Sequence, residues 1–71
     1  MNEALKLSLK HLAGKPHSQT AQGWSETGAG PFVSDADLDA LIALGFAEKG
    51  VVWGQEMARI TKAGREAIRP A

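Results

Sequence analysis

The sequence predicts a small α+β domain of about three helices and a β-hairpin of two or three strands. Three observations predict it. The stretch Val33–Phe46, VSDADLDALIALGF, reads as a helix with both ends encoded. Val51, Val52 and Trp53, followed by Gly54, read as a strand entering a tight turn. The run ARITKAGREAI, Ala58–Ile68, reads as a strand passing straight into a closing helix.

The chain has 71 residues, the size of one small domain. A chain this short buries only about 60% of its unfolded surface, so its core is thin. It has no cysteine, so neither a disulfide framework nor a thiolate zinc site is expected. His11 and His17 lack further ligands at metal spacing, and no metal or cofactor is expected. The longest apolar run, Ala40–Ala47, is far short of the roughly 20 residues that span a bilayer. Lys6 and Lys10 interrupt the N-terminal leucines, unlike the apolar run of a signal peptide. A cytoplasmic protein of bacterial or phage type is the default expectation.

Asn2–Ala13 reads as the first helix. Leu5, Leu9 and Leu12 form one stripe at i, i+4, i+7. Asn2 is the expected N-cap, and Gly14 the expected C′ residue. Leu7 leaves the stripe and is expected to meet another element. Residues 15–31 hold Pro16, Gly23, Gly28, Gly30 and Pro31 and little apolar content besides Trp24. This segment predicts an irregular or flexible connection. The preferred reading is a short helix or turn at Ser18–Gln22 followed by a glycine-rich loop; the other is a strand at His17–Trp24. Trp24 is expected to fold back over the core.

Ser34 should cap the second helix, with Asp37 at the capping-box position and Val33 stapled onto Leu38. Leu38, Leu41, Ile42 and Leu44 are its expected buried side. Gly45 followed by Phe46 is the signature of a Schellman ending. Residues 46–60 predict the hairpin, its turn placed at Gly54-Gln55, which pairs Val52 with Met57 and Val51 with Ala58. Ala58 and Ile60 then face inward and Arg59 outward, with Gly50 a bulge. Thr61 caps the last helix. Gly64 weakens a helix by roughly 1 kcal/mol relative to Ala, which points to close packing on another backbone.

The formal net charge is zero but unevenly spread. Asp35, Asp37, Asp39 and Glu48 crowd residues 34–48 without one base, while Lys49, Arg59, Lys62, Arg65 and Arg69 follow. Ordinary solvated faces would explain this pattern. A two-signed surface is the sharper reading.

LIALGFAEK, Leu41–Lys49, resembles the winged-helix pattern in which a helix L-x-x-L-G-[LF]-[VA] passes into the wing. ARITKAGREAI resembles the end of that wing and the helix after it. The resemblance spans roughly residues 33–69 and implies one winged-helix-like domain over 1–71. It further implies that the helix Ser34–Leu44 takes the place of the groove-reading helix, and that the wing touches the nucleic-acid backbone. At this chain's matching positions stand Asp35, Ala36, Asp37, Asp39, Ala40 and Ala43. None is an Arg, Lys, Asn or Gln that reads base edges, and carboxylates repel phosphates.

The expected function is therefore a non-enzymatic binding module, protein-interacting or regulatory. Its candidate acidic partner-binding face is Asp35, Asp37 and Asp39, offered to an unknown protein or to a second copy. The alternative is a DNA-binding regulator that holds phosphates through a basic face of Lys49, Arg59, Lys62, Arg65 and Arg69. Trp53 is expected to be a partly buried sheet residue rather than a stacking platform. No catalytic residue is expected: His17 and Ser18 are neighbours, which point to opposite faces in a strand, and no third group orients them.

Overall fold

A computed structural model describes residues 2–69. It has three helices and a four-stranded antiparallel sheet, an α+β arrangement compatible with a small winged-helix-like domain. The order is α1 (Glu3–Leu12), β1 (His17–Thr20), β2 (Gly23–Ser25), α2 (Asp35–Ala43), β3 (Ala47–Val52), β4 (Gln55–Ile60) and α3 (Lys62–Ala67). The strands lie in the order β2-β1-β4-β3.

Each helix starts on the residue expected to cap it. Asn2 Oδ1 accepts from Leu5 N at 2.8 Å, Ser34 Oγ from Asp37 N at 3.1 Å, and Thr61 Oγ1 from Gly64 N at 3.0 Å. These bonds satisfy amides that a helix N-terminus leaves without intrahelical partners. The end of α2 is a Schellman motif: Gly45 has φ 81°, and Gly45 N and Phe46 N donate to the Ile42 and Leu41 carbonyls, both at 2.9 Å. Leu44, expected inside, is exposed because it is the C-cap, one residue past the buried turn. Leu7, expected to meet another element, is exposed instead. Ser34→Ala should lower stability by about 1 kcal/mol, read as an earlier urea midpoint with an unchanged slope.

The connection at 15–31 departs most from expectation. Neither a helix at Ser18–Gln22 nor a wholly irregular loop forms there; the other reading, a strand at His17–Trp24, holds in part, because the segment is extended but turns back at residues 21–22. Residues 17–25 make the β1–β2 hairpin, with Gln19 opposite Trp24 and Thr20 opposite Gly23. Its local sequence is polar and carries no strand alternation. Tertiary partners supply the order: His17 pairs with Ala58 and Ser18 with Met57 on β4. On the other side, Trp24 N and O bond Val33 O and N at 2.7 and 2.8 Å. Gly23 permits that approach, since a Cβ there would sit 2.7 Å from the Val33 carbonyl oxygen.

The β3–β4 hairpin forms where expected but turns one residue earlier. Its loop is Trp53-Gly54, with φ of 55° and 76°. Positive φ at both central positions marks a type I′ turn, the twist-matched choice for a two-residue loop. Val52 therefore pairs with Gln55, and Val51 with Glu56. Moving the turn by one residue moves the register by two. Because strand side chains alternate with a period of two, the faces are preserved: Ala58 and Ile60 are buried and Arg59 is exposed, as expected. Gly50 pairs with Met57 within an unbroken register and is not a bulge.

The core joins Leu9 and Leu12 of α1, Trp24, Val33, Leu38 and Leu41 of α2, and Ala47, Ala58 and Ile60 of the sheet. Trp24 is its largest member and only 1% exposed. Among the described residues no helix is long and apolar enough to cross a membrane.

Candidate functional site

The acidic helix face is tied into the fold more closely than its sequence suggests. Asp35 Oδ1 accepts from the Trp24 indole Nε1 at 2.7 Å and from Gln19 Nε2 at 3.4 Å. Asp37 Oδ2 accepts from Ser8 Oγ of α1 at 3.3 Å, and Asp37 is half-buried. Asp39 lies 4.0 Å from Lys49 Nζ. Two of the three carboxylates thus hold the helix against β2 and α1, and the third faces a base. Asp39 keeps most of its side-chain surface in solvent.

The five bases do not form one surface. Glu48 pairs with Arg59 and Lys49 with Ala58, so Lys49 and Arg59 project from opposite faces of the sheet. Lys49 turns toward α2, where its Nζ also lies 5.4 Å from the centroid of the Trp24 ring, within cation–π reach. Arg59 Nε donates to Glu48 Oε1 at 2.7 Å on the other face. On α3, Arg65 Nη1 reaches the Ala13 carbonyl at the end of α1, at 3.4 Å. The expected helical stripe of Lys62, Arg65 and Arg69 is cut short, because α3 ends at Ala67 with Ile68 as its C-cap. Lys62 and Arg69 are exposed.

The hairpin tip holds the feature that sequence reading missed. Trp53 is 99% exposed, flanked by Val51 at 72% and Val52 at 45%. It is not a partly buried sheet residue, because it occupies the first central position of the turn and projects beyond the last strand pair. Its φ of 55° is the left-handed region, uncommon for a bulky non-glycine residue and unfavourable by roughly 1–2 kcal/mol. Asn in this position would be less strained and more soluble. The signal was in the sequence: a glycine after Trp53 allows a type I′ turn, whereas the same glycine read as the first loop residue implies type II′.

A shallow cleft of about 140 Å³ is lined by His11, His17, Ser25, Glu26, Thr27, Ala29, Gly30 and Pro31. His17 is 1% exposed. Its Nδ1 lies 2.8 Å from the Lys15 carbonyl, which can only accept, so Nδ1 is the donor in this bond. The Ser25 hydroxyl donates to the Ala29 carbonyl at 2.6 Å and accepts from Gly28 N at 3.1 Å. It closes the 25–29 loop and is not held against His17 as a nucleophile is held against its base. Among the described residues no group of three or more His, Asp or Glu gathers as a metal site would require.

A comparison with protein-family models finds no match, and comparisons with curated proteins and with solved structures find none.

Proposed function

We propose that this chain is a small non-enzymatic binding module of winged-helix type that engages a protein partner through the tip of its β3–β4 hairpin. Cytoplasmic work in a bacterial or phage setting fits this reading. The observation that carries it is Trp53, an indole fully in solvent on a strained turn. Large aromatic side chains anchor interfaces when a partner's pocket desolvates them. Strain kept at an exposed position favours a role outside the fold. The acidic helix, offered by the sequence as the docking face, is less suited, since Asp35 and Asp37 already hold Trp24 and Ser8.

The alternative is a nucleic-acid binder that uses Lys62, Arg65 and Arg69. The exposed Lys62 and Arg69 favour it. Against it stand the hairpin's own bases. Lys49 faces Asp39 and Arg59 faces Glu48, so a wing laid on phosphates brings little uncompensated charge.

Titration of labelled duplex DNA at low salt separates the readings. Binding is expected to be absent. Salt-steep binding weakened by Lys62→Ala and Arg65→Ala would transfer the function to nucleic acid. For a protein partner identified by cross-linking, Trp53→Ala should weaken binding by roughly 30-fold or more, as expected of a central aromatic anchor. An unchanged affinity would remove Trp53 from the contact.

A further inference from the structure

The sheet has two edges, and among the described residues a further segment pairs with only one of them. Beyond β2, the segment at Val33 bonds both backbone groups of Trp24. Beyond β3 the strand order ends. A two-residue loop closes on a hydrogen-bonded pair, here Val52 and Gln55. Such pairs alternate along an antiparallel ladder, which gives Gly50 with Met57, Glu48 with Arg59 and, at the far end, the Thr61 N to Phe46 O bond of 3.0 Å. The N–H and C=O groups of Lys49 and Val51 consequently point out of the sheet edge, whereas Ala47, at the strand's start, is only 4% exposed and belongs to the core.

Exposed edges are normally guarded by charge, lysine above all. The two charged residues of β3 are poor guards. Glu48 is held by Arg59 at 2.7 Å, and Lys49 leans toward Asp39 and the Trp24 ring. The remainder of the strand is Gly50, Val51 and Val52, with both valines exposed. We infer that β3 pairs antiparallel with β3 of a second copy, with Gly50 on the two-fold axis.

The register follows from sterics and charge. Centring the pair on Lys49 sets two ammonium groups opposite each other, and centring it on Glu48 sets two carboxylates opposite; both are unfavourable. Centring on Gly50 keeps the core faces on one side. It sets Lys49 opposite Val51 and Glu48 opposite Val52 of the second copy. The outward groups of Lys49 and Val51 then meet each other twice. Gly50 occupies the closest non-hydrogen-bonded crossing, where Cα atoms approach to about 4.5 Å. Nothing lies within 4 Å of a Cβ built on Gly50, so that position is open in the monomer.

This assignment rests on the hairpin being the contact element and names a second copy as one of its partners. The chain has no cysteine, so single thiols can be placed at will. Under mild oxidation the full chain carrying Gly50→Cys should form a covalent dimer, because the expected Cα separation lies inside the disulfide range of about 4.4–6.8 Å. Val52→Cys, on the same face and at a more exposed position than Gly50, should nevertheless lag by about 10-fold or more. It lies four residues from its own copy in this register, roughly 13 Å along the strand. Sedimentation equilibrium of the unmodified chain should show a concentration-dependent dimer, with Gly50→Lys raising its dissociation constant about 10-fold or more.

Equal cross-linking at both positions would mean random collision and would overturn the register. A monomer at millimolar concentration would overturn the second-copy assignment. If such a monomer kept Trp53-dependent binding to another protein, the tip would stand as the contact element and only the second-copy assignment would fall.

Discussion

Trp24→Ala should leave the domain without a cooperative melting transition. Trp24 is the largest fully buried side chain and joins both hairpins to α2. Truncating a buried Trp to Ala lowers stability by about 3–5 kcal/mol. Here the substitution also removes the indole donor from Asp35 and the ring beneath Lys49. A small domain has only about 5 kcal/mol to lose. Far-ultraviolet circular dichroism against temperature checks this. Trp53→Ala is the internal contrast, since a fully exposed residue without core neighbours should change stability by less than about 0.5 kcal/mol. A sharp, near-native melt for Trp24→Ala would show that the core is centred elsewhere.

Gly64→Ala should destabilise the fold by roughly 2 kcal/mol, although alanine favours a helix over glycine by about 1 kcal/mol. A Cβ at Gly64 would overlap the Phe46 carbonyl oxygen and come within 2.7 Å of Ile60 Cγ1. The obstacle on one side is backbone, which cannot rotate away. That carbonyl also accepts from Thr61 N at 3.0 Å, so displacing it breaks the bond where β4 passes into α3. A guanidinium titration that moves to lower midpoint checks this, and a stabilised Gly64→Ala would mean that α3 is free to shift outward.

The parts of the fold legible in sequence are those specified by local chemistry. Asn2, Ser34 and Thr61 are caps because a side-chain oxygen reaches an amide three residues on, and Gly45-Phe46 is an ending because glycine accepts positive φ. Gly64 was legible as a packing position because a helix holds glycine there at a loss. The β1–β2 hairpin was legible only as the second of two readings, a strand at His17–Trp24, and its reversal was not. HSQT and GWS have little strand propensity of their own, and His17, Trp24 and Ser25 are ordered by β4, Val33 and the 25–29 loop. Contacts across such separations leave no periodicity in a short polar segment.

The site was less legible than the fold. Composition placed the aspartates on one helix and the bases after it. It could not show that Asp35 serves an indole, or that Lys49 and Arg59 face apart. Those outcomes depend on the register of β3 against β4. Trp53 departs from expectation for a related reason: Gly54-Gln55 is a Gly-X pair, which locally favours a type II′ turn one residue later. Tertiary twist outweighed that preference.

Thr61 donates its hydroxyl proton to the Gly45 carbonyl at 2.7 Å while the same oxygen accepts from Gly64 N. One oxygen thus clasps the tail of α2 to the head of α3, sixteen residues apart in sequence. Fraying at either terminus loosens the other. The two helix ends therefore open as a single unit, and amide exchange should report one protection factor across both rather than two independent ones.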